Sequence, residues 1–366
     1  MGCVDRTGSD LPSCGPCGTI DENIPMSGPP CFPDIALPLV GNETVLEQPT
    51  DLYSLSEKYV EHATEIITKS SKPYFLYMAL SQPHTPLTPS KKFEGKSERG
   101  IYGDVLLEMD WIVGQVTAAV KKSNNSNTLI WFMSDNGPWA SKCLFGGSVG
   151  PFIGSWQSNV GGGGSVAKGT VWEGGHRVPS IVYWPGVVEA GSTSHELTSS
   201  LDILPTLANI GRINYTSKRT IDGIDISHIF YGGEVPEDRV LFHPNSGAFG
   251  NYGDVGAVRM GKYKAVFYSG GYPDCQGNLG QNQFHNPPLL FNLEEDIEEK
   301  LPLNTNNGKS EAGKALKKIL KYYAHFYEKL QEGGISNTTY EVDWSLRPCC
   351  NPNDEFCRCD NHWKEL

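Results

Sequence analysis

The sequence predicts an α/β fold, with a mostly parallel central sheet flanked by helices and a smaller C-terminal antiparallel sheet that carries one helix. Short apolar runs alternate with amphipathic segments through the first part of the chain, as in parallel α/β proteins. Beyond about residue 215, short strands and turns follow one another, and one amphipathic helix spans about 310–332. We therefore divide the chain into an α/β part, 1–212, and a small α+β domain, 213–366.

The composition is that of a globular protein and narrows the choice of partners. The chain has 366 residues, enough for one or two domains, and 38% of them are hydrophobic. Its formal net charge of −12 argues against a nucleic-acid partner, because such partners are bound by Lys/Arg patches. No apolar run reaches the length of a membrane span, so we expect a protein that is not an integral membrane protein.

Helices and strands alternate in the first part of the chain. After a Gly/Pro/Cys-rich loop segment (1–50), we predict a helix at about 51–70, a buried strand at 74–80, a helix at about 103–122 and a strand at 128–134. Prolines force residues 81–86 into a loop. Helices and strands that alternate with short connections are typical of a parallel sheet. The carboxyl ends of the two strands should therefore meet at one edge.

The remaining elements are shorter. Residues 137–170 form a long glycine-bearing loop that is too irregular for a regular element. A strand is expected within 179–185, a helix is expected to start within 199–206, and strands are expected within 256–268 and 288–293. No internal repeat is evident.

Asp135 and Asn136 are the candidate metal ligands. They end a continuous apolar run that reads as a buried strand, and ligands gather beyond the carboxyl ends of parallel strands. A carboxylate beside an amide suits a hard cation such as Ca²⁺ or Mg²⁺. The alternative is a simple turn, because Asp, Asn and Gly all favour turn conformations.

His84 and Lys168 are the candidate catalytic and substrate-binding residues. His84 follows the first predicted strand, and we expect it at the sheet edge that carries Asp135 and Asn136. An imidazole, an ammonium and a metal ion together suit a sulfate or phosphate ester. The alternative for each residue is a side chain that is merely exposed in a loop and has no catalytic role. Glu173 and Arg177 are expected to pair and hold the loop.

Cysteines and glycosylation sequons favour an oxidising compartment. Asparagine sequons occur at Asn42, Asn124, Asn214 and Asn337. The ten disulfide candidates are Cys3, Cys14, Cys17, Cys31, Cys143, Cys275, Cys349, Cys350, Cys357 and Cys359. Disulfides are favoured over zinc because the spacings match no paired C-x₂-C motif. We expect a lysosomal or extracellular protein, yet the first ten residues do not form a signal peptide, so we expect the natural N-terminus to lie upstream.

Four segments together carry a family resemblance. They are Ser-Asp-Asn-Gly137, Pro-His-Thr-Pro86, the run from Lys168 to Pro179, and Ser-Leu-Asp-Ile-Leu-Pro-Thr206. In order and spacing the chain resembles the sulfatases, above all the arylsulfatase A group of the alkaline-phosphatase-like fold. The segments Gly261–Lys264 and Pro287–Leu293 resemble the C-terminal domain of that group. The disulfide connectivity stays open, with Cys143–Cys275 and pairing within each terminal cysteine cluster as candidates.

The resemblance implies a chemistry and a ligand. Asp135 and Asn136 match the second pair of Ca²⁺ ligands, and His84 and Lys168 match residues that hold the sulfate and assist the leaving group. Family members use a formylglycine, made from cysteine, as the nucleophile. The substrate would be a small-molecule or glycan sulfate ester. A homo-oligomer is possible for this family.

One departure from the family matters. The formylglycine motif Cys-x-Pro/Ala/Ser-x-Arg does not occur, and Cys31-Phe-Pro-Asp-Ile35 comes nearest. We therefore expect the C-terminal part of a sulfatase that is inactive alone. Two alternatives stay open. One is a catalytically inactive secreted glycoprotein on a sulfatase scaffold, and the other is a phosphatase or phosphodiesterase of the same superfold, which would hold two transition metals.

Overall fold

A computed structural model describes residues 37–123, 127–214 and 220–333 and divides the chain into two compact units. Of the described residues, 37–123 and 144–146 belong to the first unit, and the rest belong to the second. Several predictions fall outside these residues: Asn124, Asn337, Cys3, Cys14, Cys17, Cys31, Cys349, Cys350, Cys357 and Cys359. The division predicted at 212/213 does not coincide with the boundary between these units and stays a prediction.

The first unit consists of a hairpin and two packed helices. Its elements are β1 (Leu39–Gly41), β2 (Thr44–Glu47), α1 (Leu55–Lys69) and α2 (Gly100–Lys122). The two helices pack against each other, and their buried apolar residues include Ala63 and Ile67 of α1 and Val105 and Ile112 of α2. Both helices lie within a few residues of the predicted bounds.

Residues 74–80 do not form the predicted buried strand. Their side chains alternate between half-buried and exposed, as in a strand, but no strand pairing involves them among the described residues. Phe75 and Tyr77 occupy the outer side and are 75% and 76% exposed. The apolar run has the composition of a strand, but composition alone does not supply a hydrogen-bonding neighbour.

The second unit begins with a two-stranded sheet and short helices. Its elements to residue 231 are β3 (Ile130–Met133), a 3₁₀ segment (Ala140–Phe145), α3 (Ser155–Asn159), α4 (Glu173–His176), β4 (Ser180–Tyr183), a 3₁₀ turn (Ser200–Asp202), α5 (Ile203–Ile210) and a 3₁₀ segment (Ser227–Tyr231). Strand β3 pairs with β4 in antiparallel register, with Trp131 opposite Val182. All strand pairings among the described residues are antiparallel, so the parallel pairing expected here is not observed. The chain reverses direction between β3 and β4, and this reversal accounts for their orientation.

The C-terminal antiparallel sheet and its helix are confirmed. The elements are β5 (Val240–Pro244), β6 (Val255–Met260), β7 (Tyr263–Ser269), β8 (Gln283–Asn292) and α6 (Glu311–Gly333), with the strands paired in sequence order. Helix α6 covers one face of the sheet through Leu316 and Ile319. The other face packs against Trp156, from the segment that the sequence predicts as a loop, and against Trp172, which follows that segment. Among the described residues, no helix is both long and apolar enough to cross a membrane.

Candidate active site

Asp135, Asn136 and Gly137 form a tight turn directly after β3. The Asp135 carboxylate accepts a hydrogen bond from the backbone N–H of Asn136 at 2.8 Å. The Asn136 side-chain amide donates to the carbonyl oxygen of Gly137 at 2.9 Å, and the Ser134 hydroxyl donates to the carbonyl oxygen of Asn136. Asp135 is exposed and Asn136 is half-buried. The segment is therefore a turn, as in the alternative interpretation, and this turn presents a carboxylate and an amide side by side.

This turn is bound to the segment that carries Lys168. The backbone N–H of Gly137 donates to the carbonyl oxygen of Gly175 at 3.0 Å, and that of Lys168 donates to the carbonyl oxygen of Pro138 at 2.9 Å. A side chain at Gly137 would clash, because a Cβ atom there would lie 1.9 Å from the carbonyl oxygen of Gly174. The structure thus brings the turn and Lys168 to the same end of β3, although more than thirty residues separate them in the chain.

Two lysine ammonium groups lie over the same indole ring next to this turn. The Nζ atom of Lys168 is 5.4 Å from the centroid of the Trp139 ring, and that of Lys142 is 4.6 Å from it. All three side chains are half-buried. Burial lowers the pKa of Lys142. The sequence prediction singled out Lys168 but missed Trp139 and Lys142, although both follow the Asp-Asn-Gly turn within a few residues.

Trp139 is held from a distant part of the chain. Burial raises the pKa of the Tyr272 hydroxyl, and the neighbouring Trp139 side chain partly offsets that rise. Cys143 and Cys275 form a disulfide with a Cα–Cα distance of 4.9 Å, linking residues 132 apart. Cys143 has a φ of 52°, a left-handed conformation that is unfavourable for a residue other than glycine. The cross-link therefore fixes a strained segment beside the two lysines.

His84 belongs to the first compact unit, between two prolines. Its Nδ1 lies 2.6 Å from the carbonyl oxygen of Thr85. A carbonyl oxygen only accepts, so Nδ1 carries the proton and, in the neutral ring, Nε2 has the lone pair. Asp135, Asn136 and Lys168 belong to the second unit. The convergence of His84 with them stays a prediction.

Family models match most of the chain. The model described as sulfatase matches residues 25–212, and the model for the C-terminal region of aryl-sulfatase matches residues 236–359. The chain belongs to the sulfatase family. Among curated relatives, human arylsulfatase G is 43% identical over 98% of this chain and 68% of its own length. Arylsulfatase A of Bos taurus is 34% identical over 89% of this chain and 64% of its own length.

Solved sulfatase structures share the fold, which confirms the predicted sulfatase-like fold class with its C-terminal antiparallel sheet, although the described strands show no parallel pairing. The sulfatase PsFucS1 from Pseudoalteromonas sp. has a TM-score of 0.62 and 25% identity, covering 77% of this chain and 53% of its own. The structure of Ps i-CgsB in complex with k-i-k-neocarrahexaose has a TM-score of 0.60 and 25% identity, covering 82% of this chain and 60% of its own. This chain thus spans a little over half the length of these two solved sulfatases.

The donors at the turn fit calcium in type. Asp135 contributes a carboxylate and Asn136 an amide oxygen, both hard ligands that Ca²⁺ prefers. Ca²⁺ takes about six to eight oxygen ligands, so these two supply part of a coordination shell. No group of three or more His, Cys, Asp or Glu side chains within the described parts of the chain is arranged to hold a metal ion.

A buried ion cluster supports the segment that follows Lys168. Lys264 is fully buried and pairs with Glu173 at 2.9 Å and with Glu299 at 2.8 Å, while Arg259 lies 3.3 Å from Glu173. Burial alone would raise the pKa of Glu173, but the charges of Lys264 and Arg259 outweigh it and the pKa is lowered. The predicted Glu173–Arg177 pair is wrong as the main contact, because Glu173 turns towards the C-terminal sheet.

Two further groups that the sequence left unassigned have structural roles. His176 and His243 lie against each other, with ring centroids 4.1 Å apart, and burial lowers the pKa of both, that of His176 to about 4. Asp202 forms a capping box with Ser199 and pairs with Arg239. Each of these groups stabilises the scaffold around the site.

Proposed function

We propose that this chain carries the sulfate- and calcium-binding part of an enzyme that hydrolyses sulfuric esters. The observation that supports this most is the hydrogen bond between Lys168 and Pro138, because it holds an ammonium group beside the Asp135–Asn136 turn. A carboxylate, an amide and an ammonium group at one end of a strand suit a metal ion together with a tetrahedral anion. Family membership gives the same reaction class.

Each residue has a defined role in this proposal. Asp135 and Asn136 hold Ca²⁺, which supplies positive charge to polarise the sulfate group. Lys168 binds a sulfate oxygen and offsets the negative charge that develops during cleavage. When Nε2 is protonated, His84 donates a hydrogen bond from it to the sulfate and gives that proton to the leaving alcohol oxygen. The rigid turn keeps Lys168 in place before the substrate arrives.

The substrate and the compartment follow from relatives and composition. A glycan sulfate ester is favoured over a simple aryl ester because Ps i-CgsB is complexed with neocarrahexaose. A lysosomal or extracellular location is consistent with the Cys143–Cys275 disulfide and with exposed sequon asparagines at Asn42 and Asn214.

Turnover needs a nucleophile that the 366 residues do not contain in the family form. No Cys-x-Pro/Ala/Ser-x-Arg motif occurs, so we propose that this chain alone binds sulfate but does not hydrolyse an ester. The same absence favours a second candidate function, that of a binding glycoprotein on a sulfatase scaffold. The two candidates share the sulfate site and differ only in whether a formylglycine completes it.

The proposal is tested by titrating the chain with inorganic sulfate in the presence of Ca²⁺ and following binding by calorimetry. We expect Lys168→Ala to weaken sulfate binding by about tenfold or more, since a charge-assisted hydrogen bond is lost. Lys262→Ala is the matched control, because Lys262 pairs with Glu311 on the C-terminal domain surface. Unchanged binding in Lys168→Ala, or no binding in the parent chain, contradicts the proposal. Measurable aryl-sulfate turnover contradicts the proposed inactivity.

A further inference from the structure

Beside Lys168 lies a second cation that the proposed reaction does not use. Lys142 is half-buried, and no carboxylate forms an ion pair with it within the ranges that the structure describes. Its ammonium group instead lies over the Trp139 ring at 4.6 Å. A cation–π contact offsets only part of the cost of removing an ammonium group from water. An anionic ligand would supply the missing countercharge.

The two ammonium groups are close enough to engage one ligand. Both distances are measured to the same indole centroid, so the Nζ atoms of Lys142 and Lys168 are no farther apart than the sum of 4.6 Å and 5.4 Å. Two anionic substituents on one pyranose ring, or on adjacent rings of a short glycan, span such a separation. The indole ring that both ammonium groups contact offers apolar surface to the carbon skeleton that joins the two anions.

The segment that carries Trp139 and Lys142 is held rigid before a ligand binds. The backbone N–H of Lys142 donates to the carbonyl oxygen of Trp139 at 3.0 Å, and the Cys143–Cys275 disulfide fixes the next residue. Tyr272, from a distant part of the chain, packs closely on Gly169, where a Cβ atom would lie 2.4 Å from its ring. A surface that is fixed in this way loses little conformational entropy when a ligand binds.

We propose that Lys142 and Trp139 form a subsite for a second anionic group on the substrate, next to the sulfate bound by Lys168. This inference rests on the proposed function and narrows its substrate class to sugars with at least two anionic groups. Lys168 engages the sulfate that is to be cleaved. Lys142 binds a second sulfate or a carboxylate on the same or the neighbouring sugar, and the sugar ring lies against Trp139.

The test compares three probes by calorimetry at physiological ionic strength with Ca²⁺ present: inorganic sulfate, glucosamine 6-sulfate and glucosamine 2-N,6-O-disulfate. We expect the disulfated sugar to bind the parent chain about tenfold tighter than the monosulfated sugar. Lys142→Ala should remove that preference, and Lys142→Arg should keep most of it. Lys168→Ala should weaken the binding of all three probes.

Lys92→Ala is the matched control. Lys92 also lies over an indole ring, that of Trp111 at 4.1 Å, but it belongs to the first compact unit. The Lys92→Ala variant should bind every probe as tightly as the parent chain does. The subsite is refuted if sulfate binds through Lys168 while Lys142→Ala retains the full preference for the disulfated sugar. If none of the probes binds, or if Lys168→Ala has no effect, the proposed function itself fails.

Discussion

The backbone N–H of Lys168 donates to the carbonyl oxygen of Pro138 at 2.9 Å. This single bond joins the turn after β3 to a segment that arrives from the far end of a long loop. Because Gly137 also bonds to Gly175, the two segments are joined at two points and form a rigid unit. The relative positions of the candidate ligands and of Lys168 therefore depend on backbone contacts and not on flexible side chains.

Gly137→Ala should destabilise the protein. The added Cβ atom would lie 1.9 Å from the carbonyl oxygen of Gly174, so the two segments would have to separate. We expect a loss of about 2–4 kcal/mol in the free energy of unfolding, measured by urea denaturation. Gly114→Ala is the control, because nothing lies within 4 Å of a Cβ atom there and alanine favours a helix. Equal effects of the two substitutions would show that the close approach at Gly137 is unimportant.

Lys264→Ala should be strongly destabilising. It would leave the buried carboxylates of Glu173 and Glu299 without their shared cation, at a cost of about 3–5 kcal/mol. Lys262→Ala removes a lysine two residues away whose partner, Glu311, is exposed, and should cost less than about 1 kcal/mol. Chemical denaturation of both variants gives the comparison. Similar losses for both would mean that the buried cluster does not support the loop.

The buried histidine pair predicts loss of stability in acid. The pKa of His176 is lowered from 6.5 to about 4, mainly by burial, so the folded protein keeps this ring neutral. The contribution of the neutral ring to the free energy of unfolding is complete above pH 6.5. It falls by up to about 3 kcal/mol as the pH drops towards 4, because only the unfolded chain then takes up the proton. His176→Asn should make the free energy of unfolding less dependent on pH in this range.

The control for that measurement is His325→Asn, at an exposed position of α6. It should leave the pH dependence of the parent chain almost unchanged. His243 lies against His176 and also has a lowered pKa, so His176→Asn should retain part of the slope. An identical slope in the parent and in His176→Asn would contradict the assignment of a neutral, buried His176.

Asn42 should carry a glycan when the chain is made in a secretory host. It is exposed at the turn between β1 and β2, where a glycan can be attached without displacing packed side chains. Asn42→Gln should remove one glycan, seen by mass spectrometry as the loss of a single glycan mass. Glu43→Gln keeps the sequon and is the control. The prediction is contradicted if Asn42→Gln carries the same total glycan mass as the parent chain.

Long amphipathic helices were predictable because the signal is local. The stripes of α2 and α6 appear in the sequence at helical spacing, and each helix ends within a few residues of its predicted bounds. The strand predicted at 74–80 does not form, since a side-chain pattern does not specify a pairing partner. Strand β5 (Val240–Pro244) was missed because a short run between turns carries little periodic signal.

In the candidate site, too, local features were predictable from the sequence and long-range contacts were not. Asp135, Asn136 and Lys168 could be selected by residue type and by their place after strands or in a glycine-rich loop. The contacts of Glu173 could not, because its partners lie 86 and 91 residues away on the C-terminal sheet. A lysine at position 264 within an otherwise apolar strand was the available signal, since alternation places it on the same face as Val266.

The central claim is that Asp135, Asn136 and Lys168 form one site for a metal ion and a sulfate. Calorimetric titration of sulfate, with and without saturating Ca²⁺, tests it most directly. We predict that Ca²⁺ raises the affinity for sulfate by about five- to tenfold, and that sulfate raises the affinity for Ca²⁺ by the same factor. Asp135→Ala should abolish this coupling. Independent binding of the two ions, or coupling that survives in Asp135→Ala, would contradict the account.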